Sequence, residues 1–196
     1  MRILSLNGNG IRACLKKGLV RWWESTDADL LLFQEVRFDD AEALAAAFPG
    51  CWTSLHAAEK KGYSGVAVIS KQAPSKVVHG MGDVRFDGEG RVMRVDFEDF
   101  SVLNVYFPSG ASKPERQAFK LEFLQAFWAH VQELQRSIPN LLIGADWNMC
   151  HRAIDIHNPI RLDGVPGFSH QAQGIAVQQR QDRRQRAAHP QMRLGG

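Results

Sequence analysis

Short apolar runs of strand length, each giving way to polar residues, recur along this sequence and constrain its fold more than any other feature. Leu30-Leu-Leu-Phe33 runs into Gln34-Glu35, Phe100–Val105 into Tyr106, and Leu141-Leu-Ile143 into Gly-Ala-Asp146-Trp-Asn148. None approaches the roughly 20 apolar residues that a bilayer-crossing helix needs. Continuous apolar runs fit strands covered on both faces, where in/out alternation is lost. With Gly and Pro punctuation between them, strands are predicted over Arg2–Leu6, Leu30–Phe33, Trp52–His56, Gly65–Ser70, Lys76–Val78, Arg91–Phe97, Phe100–Tyr106 and Leu141–Ile143. Helices are predicted at Leu19–Trp23, at Ala41–Phe48 behind an Asp39 or Asp40 cap, and from the capping box Ser112-Lys-Pro-Glu115 to about Arg136. The last carries Phe123, Phe127, Val131 and Leu134 on one stripe. Strands with helices between them predict an α/β layered fold, a sheet sandwich flanked by helices.

At 44% hydrophobic, the 196 residues suffice for one globular core. The formal net charge of +3 is unevenly spread: Ser169–Gly196 holds five arginines against Asp182, which leaves residues 1–168 at about −1. Two segments are therefore expected: a folded domain over 1–168 and a Gln/Arg-rich tail over 169–196, disordered or foreign to the fold. Cys14, Cys51 and Cys150 form no C-x-x-C pair, so neither a zinc site nor a disulfide framework is expected. The start, Met1-Arg-Ile-Leu-Ser-Leu6, lacks the pattern of a signal peptide. A reducing cytoplasm is the expected compartment, with no membrane partner.

Side chains at i and i+2 of an extended segment share a face, so Asp146 and Asn148 can converge on one point. Together with Glu35 from another strand end, they form a hard-oxygen set suited to Mg²⁺ or Mn²⁺ and a phosphate. Asp146 could align or deprotonate a water while Asn148 offsets charge on phosphorus. Each position also has a plainer reading. Asn7 and Asn9 fit turn residues with positive φ, Glu35 a solvated loop acid, and Tyr106 a half-buried packing residue. The turn Lys60-Lys61-Gly-Tyr63-Ser64-Gly65 fits a phosphate-backbone contact or a solvated hairpin equally well. The seven histidines are scattered, and none is expected to bind metal.

Taken in order, the motifs resemble exonuclease III-type apurinic/apyrimidinic (AP) endonucleases of the endonuclease/exonuclease/phosphatase superfamily, a DNase I-like fold. The matching stretches are Asn7-Gly-Asn-Gly-Ile-Arg12-Ala, Leu32-Phe-Gln-Glu35, Gly62-Tyr-Ser-Gly-Val-Ala67, Gly82–Val92, Asn104-Val-Tyr106-Phe-Pro-Ser-Gly110 and Asp146-Trp-Asn148. The run His151-Arg-Ala-Ile-Asp155-Ile-His-Asn158-Pro then points to the AP-endonuclease branch. The resemblance implies Glu35 as principal metal ligand, with Asn7, Asp146 and Asn148 in the metal–water network. It implies Tyr106 at the scissile phosphate, Asp146 activating water and Asn148 binding the phosphate. It places Arg12, Tyr63 and Asn158 on the DNA-binding surface. The implied reaction is Mg²⁺-dependent hydrolysis 5′ to abasic sites in duplex DNA by a monomer, with 3′→5′ exonuclease and 3′-phosphatase activity acting at 3′ ends.

Ala145 stands where the family carries Gly before the motif's Asp, and Ile160-Arg-Leu-Asp-Gly-Val165 replaces the family's Asn- and Lys-rich stretch. The motif-by-motif match ends near Gly167-Phe168, and no Ser-Asp-His follows to supply the family's histidine at the phosphate; His170 and His189 lack its context. The expectation is an incomplete four-layer α/β sandwich, truncated or frameshifted after about residue 168, with impaired catalysis. A non-catalytic nucleic-acid-binding remnant is the alternative.

Overall fold

The computed structural model describes residues 1–110, 113–150, 152–158 and 160–161. They fall into two compact units, 1–107 with 130–147, and 108–129 with the described residues from 148 onward. Ser112 of the expected capping box, His151, and the expected boundary at 168 with the arginine tail beyond it lie outside the described residues.

The strands lie in the first unit and form two four-stranded sheets. The first comprises β1 (Ile3–Asn7), β2 (Leu30–Gln34), β3 (Trp52–His56) and β4 (Val66–Ser70), in the order β1-β2-β4-β3. The second comprises β5 (Lys76–His79), β6 (Val92–Asp96), β7 (Ser101–Tyr106) and β8 (Leu141–Asp146), in the order β5-β6-β7-β8. Only β1–β2 and β7–β8 run parallel; the other pairs are antiparallel. Parallel neighbours need a crossover. Helices α1 (Ile11–Lys16) and α2 (Leu19–Ser25) lie in the first, and α5 (Pro114–Leu134) in the second. The α/β class with two sheets and flanking helices is the one expected from the sequence.

Strand β2 explains why the sequence reads apolar without alternation. Leu31 and Phe33 join a cluster with Ile11, Leu19, Trp23, Leu44, Phe48 and Ile69, beneath α1, α2 and α3 (Ala41–Ala47). Leu30 and Leu32 point the other way, into a cluster with Val66, Val68, Met93, Val95 and Val102 between the sheets. Each fully buried leucine of this kind contributes about 1.5–3 kcal/mol of transfer free energy. Asp40, rather than Asp39, caps α3: its Oδ1 accepts the Ala43 N–H at 2.9 Å.

Some elements differ from expectation. β8 continues three residues past Ile143, because Gly144, Ala145 and Asp146 go on pairing with Asn104, Val105 and Tyr106. Gly144 permits this: a Cβ there would lie 2.2 Å from Leu32 Cδ1 of the facing sheet. Two short helices, α1 and α4 (Val84–Asp87), have no clear sequence signal. Gly10 starts α1 without a side-chain cap, whereas Asp83 caps α4 through the Arg85 N–H.

A buried polar strut ties the sheets together. Gln34 and Asn104 are 1% and 0% exposed. Gln34 Nε2 donates to Asn104 Oδ1 (2.7 Å) and Ser5 Oγ (3.0 Å), while Asn104 Nδ2 donates to the carbonyls of Ala67 (2.8 Å) and Phe33 (3.2 Å).

Candidate active site

Four strands end at one place. Asn7 closes β1, Glu35 follows β2, and Tyr106 and Asp146 close β7 and β8 in register with each other. The parallel arrangement of β1 with β2 and of β7 with β8 puts these carboxyl-terminal ends side by side, the usual location of a site in an α/β sheet. Asp146 keeps its register opposite Tyr106 with Ala145 before it.

Asn7 is the centre of the arrangement. Its Nδ2 donates to Asp146 Oδ2 at 2.6 Å and to Glu35 Oε2 at 3.0 Å, so one carboxamide bridges acids from the two sheets. The Asn9 N–H donates to Asn7 Oδ1 at 2.8 Å, which turns the amide nitrogen toward the carboxylates. Arg37 meets the other Glu35 oxygen at 2.6 Å. Glu35 itself has φ 56°, a left-handed conformation. The backbone around it is fixed by the Gly10 N–H to the Glu35 carbonyl (2.8 Å) and the Val36 N–H to the Gly65 carbonyl (3.1 Å).

Tyr106 is 9% exposed. Desolvation pushes its phenol up to about 12, and the Glu35 carboxylate adds to the shift as a neighbouring negative charge and hydrogen-bond partner; Arg91 opposes it. The phenol is therefore a donor across the physiological range. Two hard carboxylates within reach of one carboxamide fit a small divalent cation that keeps several waters. Among the described residues no group of three or more His, Cys, Asp or Glu side chains assembles, here or elsewhere, so the protein's charged share of such a site is the two carboxylates.

Tyr63 joins this cluster through Arg91: its hydroxyl accepts from the guanidinium at 3.0 Å and donates toward Glu89 Oε2 at 3.5 Å. The other expected surface residues are placed separately. Arg12, exposed on α1, stacks its guanidinium 4.8 Å above the Phe38 ring. Lys60 sits 5.4 Å from the Tyr63 ring centre. In the second unit, Asn158 is exposed and its Oδ1 accepts the Arg161 N–H at 3.1 Å. Asn148 also belongs to that unit and is left-handed at φ 48°. Its carbonyl accepts from Lys120 Nζ at 2.7 Å.

Sequence reasoning assigned no role to Arg37, Arg91 or Lys120. Lys120 had a signal: it lies three and seven residues before Phe123 and Phe127, on the same buried stripe, and is 0% exposed. A lysine there needs a partner. Arg91, 3% exposed at the mouth of an apolar strand, carried the same kind of signal.

Comparison with known proteins bears on the family and the fold. The family model described as "Endonuclease/Exonuclease/phosphatase family" matches residues 4–194, reaching beyond Phe168 where the individual motifs end. An exodeoxyribonuclease of Bacillus subtilis is 35% identical over 174 residues, covering 87% of this chain and 68% of that protein. The zebrafish (Danio rerio) DNA repair nuclease APEX1 is 34% identical over 164 residues, covering 81% of this chain and 52% of the relative. The chain thus spans between about half and two thirds of these relatives' lengths. Among solved structures, an AP endonuclease from Archaeoglobus fulgidus superposes with a TM-score of 0.80 at 25% identity, covering 99% of this chain and 77% of the other.

Proposed function

Because the chain belongs to the endonuclease/exonuclease/phosphatase family, we propose that it is a metal-dependent DNA phosphodiester hydrolase of DNA repair, acting 5′ to abasic sites and at 3′ ends. The observation that carries this reading is the meeting of Glu35 and Asp146, from different sheets, on the single amide of Asn7 beside the Tyr106 phenol. Hydrolysis of a phosphodiester asks little of a protein beyond a positioned water and donors for the developing charge.

In this reading Asp146 orients and deprotonates the attacking water, helped by the Asn7 amide that fixes one of its oxygens. Tyr106, protonated and desolvated, donates to a non-bridging phosphate oxygen, and Asn148 adds a carboxamide donor. Glu35 is the principal ligand of a Mg²⁺ or Mn²⁺ ion. Bound there, the cation supplies Lewis-acid stabilisation of the phosphate. Arg12, Tyr63 and Asn158 contact the duplex around the lesion.

The test is incision of an abasic-site duplex by the purified chain with and without Mg²⁺. Glu35→Ala and Asp146→Asn are each expected to lower kcat by ~10²–10⁴ while leaving duplex binding within a few-fold. Mg²⁺-independent incision, or full activity in Asp146→Asn, would overturn the assignment. Binding without incision by the wild type would instead favour a nucleic-acid-binding role.

A further inference from the structure

The chain contains two tyrosines, and one buried guanidinium stacks against both. Arg91 Cζ lies 4.8 Å from the Tyr106 ring centre and 5.7 Å from that of Tyr63. Its donors are distributed to hold this position: Nε to Glu89 Oε2 at 2.6 Å, Nη2 to the Tyr63 hydroxyl at 3.0 Å, and Nη1 to the Tyr106 carbonyl at 3.0 Å. The backbone completes the grip, because the Arg91 carbonyl accepts the Tyr106 N–H at 2.9 Å. Residue 106 is thus held by its N–H, its carbonyl and its ring, all by Arg91.

A cation that is 3% exposed carries a large desolvation penalty, and a hydrophobic side chain of similar volume is often as stable in such a place. Its forked donors reach three separate groups, a task a lysine's single ammonium cannot reproduce. We infer that Arg91 is a positioning residue that sets the two tyrosines as one unit, fixing the Tyr106 phenol toward the phosphate and tying it to the Tyr63 contact with the DNA flank. This rests on the phosphodiesterase reading for its catalytic consequence; the joint placement of the two rings stands without it.

Arg91→Lys keeps the charge and loses the fork. It should lower kcat by ~10–100-fold, since a small misplacement of a reacting group costs up to about 10²-fold, with KM raised by no more than roughly a few-fold through the loosened Tyr63 contact. In a Tyr106→Phe background the same substitution should cost less than about threefold more, the non-additivity expected of residues acting through one another. Equal losses in both backgrounds would overturn the inference, since a structural defect affects both alike. A second arm uses ¹³C-tyrosine NMR on the full chain. Arg91→Lys should displace both tyrosines' ring resonances. Tyr63→Phe, which leaves the core charge in place and keeps the test open if Arg91→Lys does not fold, should displace that of Tyr106. An unmoved Tyr106 resonance in Tyr63→Phe would overturn the joint unit. Should the wild type fail to incise DNA, the hydrolase reading fails by itself and the NMR arm alone decides the placement.

Discussion

Tyr106 shows how a burial choice becomes chemistry at a single residue. Its hydroxyl is desolvated and faces Glu35, so both causes oppose the phenolate. Ultraviolet difference titration of the folded, metal-free protein against its Tyr106→Phe variant should show no Tyr106 ionisation until well above pH 10, close to 12. A midpoint near 10 would contradict the proposed environment. The backbone at this scale is only partly legible in sequence. Asn9, expected as a positive-φ turn residue, has φ 50°, as suits a side chain that tolerates the left-handed region. Glu35, with φ 56°, gave no such signal. A strained non-glycine position of this kind costs of order 1–3 kcal/mol and persists when its surroundings over-determine it. Here those surroundings, Gly10 and Gly65, come from distant parts of the chain.

Strand identity was the most legible feature of the elements, since β2, β3 and β7 lie within a residue of their expected bounds. The reason is physical: Leu30–Phe33 is apolar on both faces because one set of side chains meets α1–α3 and the other the second sheet. The partner of β2 across the sandwich was not legible, because Gln34 and Asn104 look like ordinary polar residues until the sheets stack. Their strut sits one residue before Glu35 and two before Tyr106, so it helps set the spacing between the sheets where the site forms. Asn104→Leu and Gln34→Leu should each destabilise by about 1–3 kcal/mol, because each leaves buried polar partners unsatisfied. The double variant should cost clearly less than the sum of the two. Urea denaturation of the three variants checks this, and strict additivity would show that the side chains do not act as a pair.

For the molecule as a whole, acid should weaken the fold before it titrates ordinary carboxylates. His79 is lowered from 6.5 by desolvation and then by the charge of His56, whose ring stacks on it at 4.8 Å. His130 is lowered by desolvation and then by Arg94, with Asp87 opposing. The unfolded chain therefore binds more protons below about 6.5, and stability present above that pH is lost as it falls toward the depressed folded values. Denaturation at pH 7.5 and 5.5 should show the loss, and a His79→Gln/His130→Gln variant should show a shallower one; an unchanged slope would remove these histidines from the account. The strand order has a separate consequence. Among the described residues β1 and β8 are each bonded along one side only, yet the last residue of β1, Asn7, donates both links of the carboxylate bridge, and the last residue of β8, Asp146, accepts one of them. Border strands are the first to fray. Loosening either one dissolves the reacting constellation while the doubly bonded interior stays intact, so chemistry is the earliest casualty of stress and a sensitive gauge of the sandwich's rim.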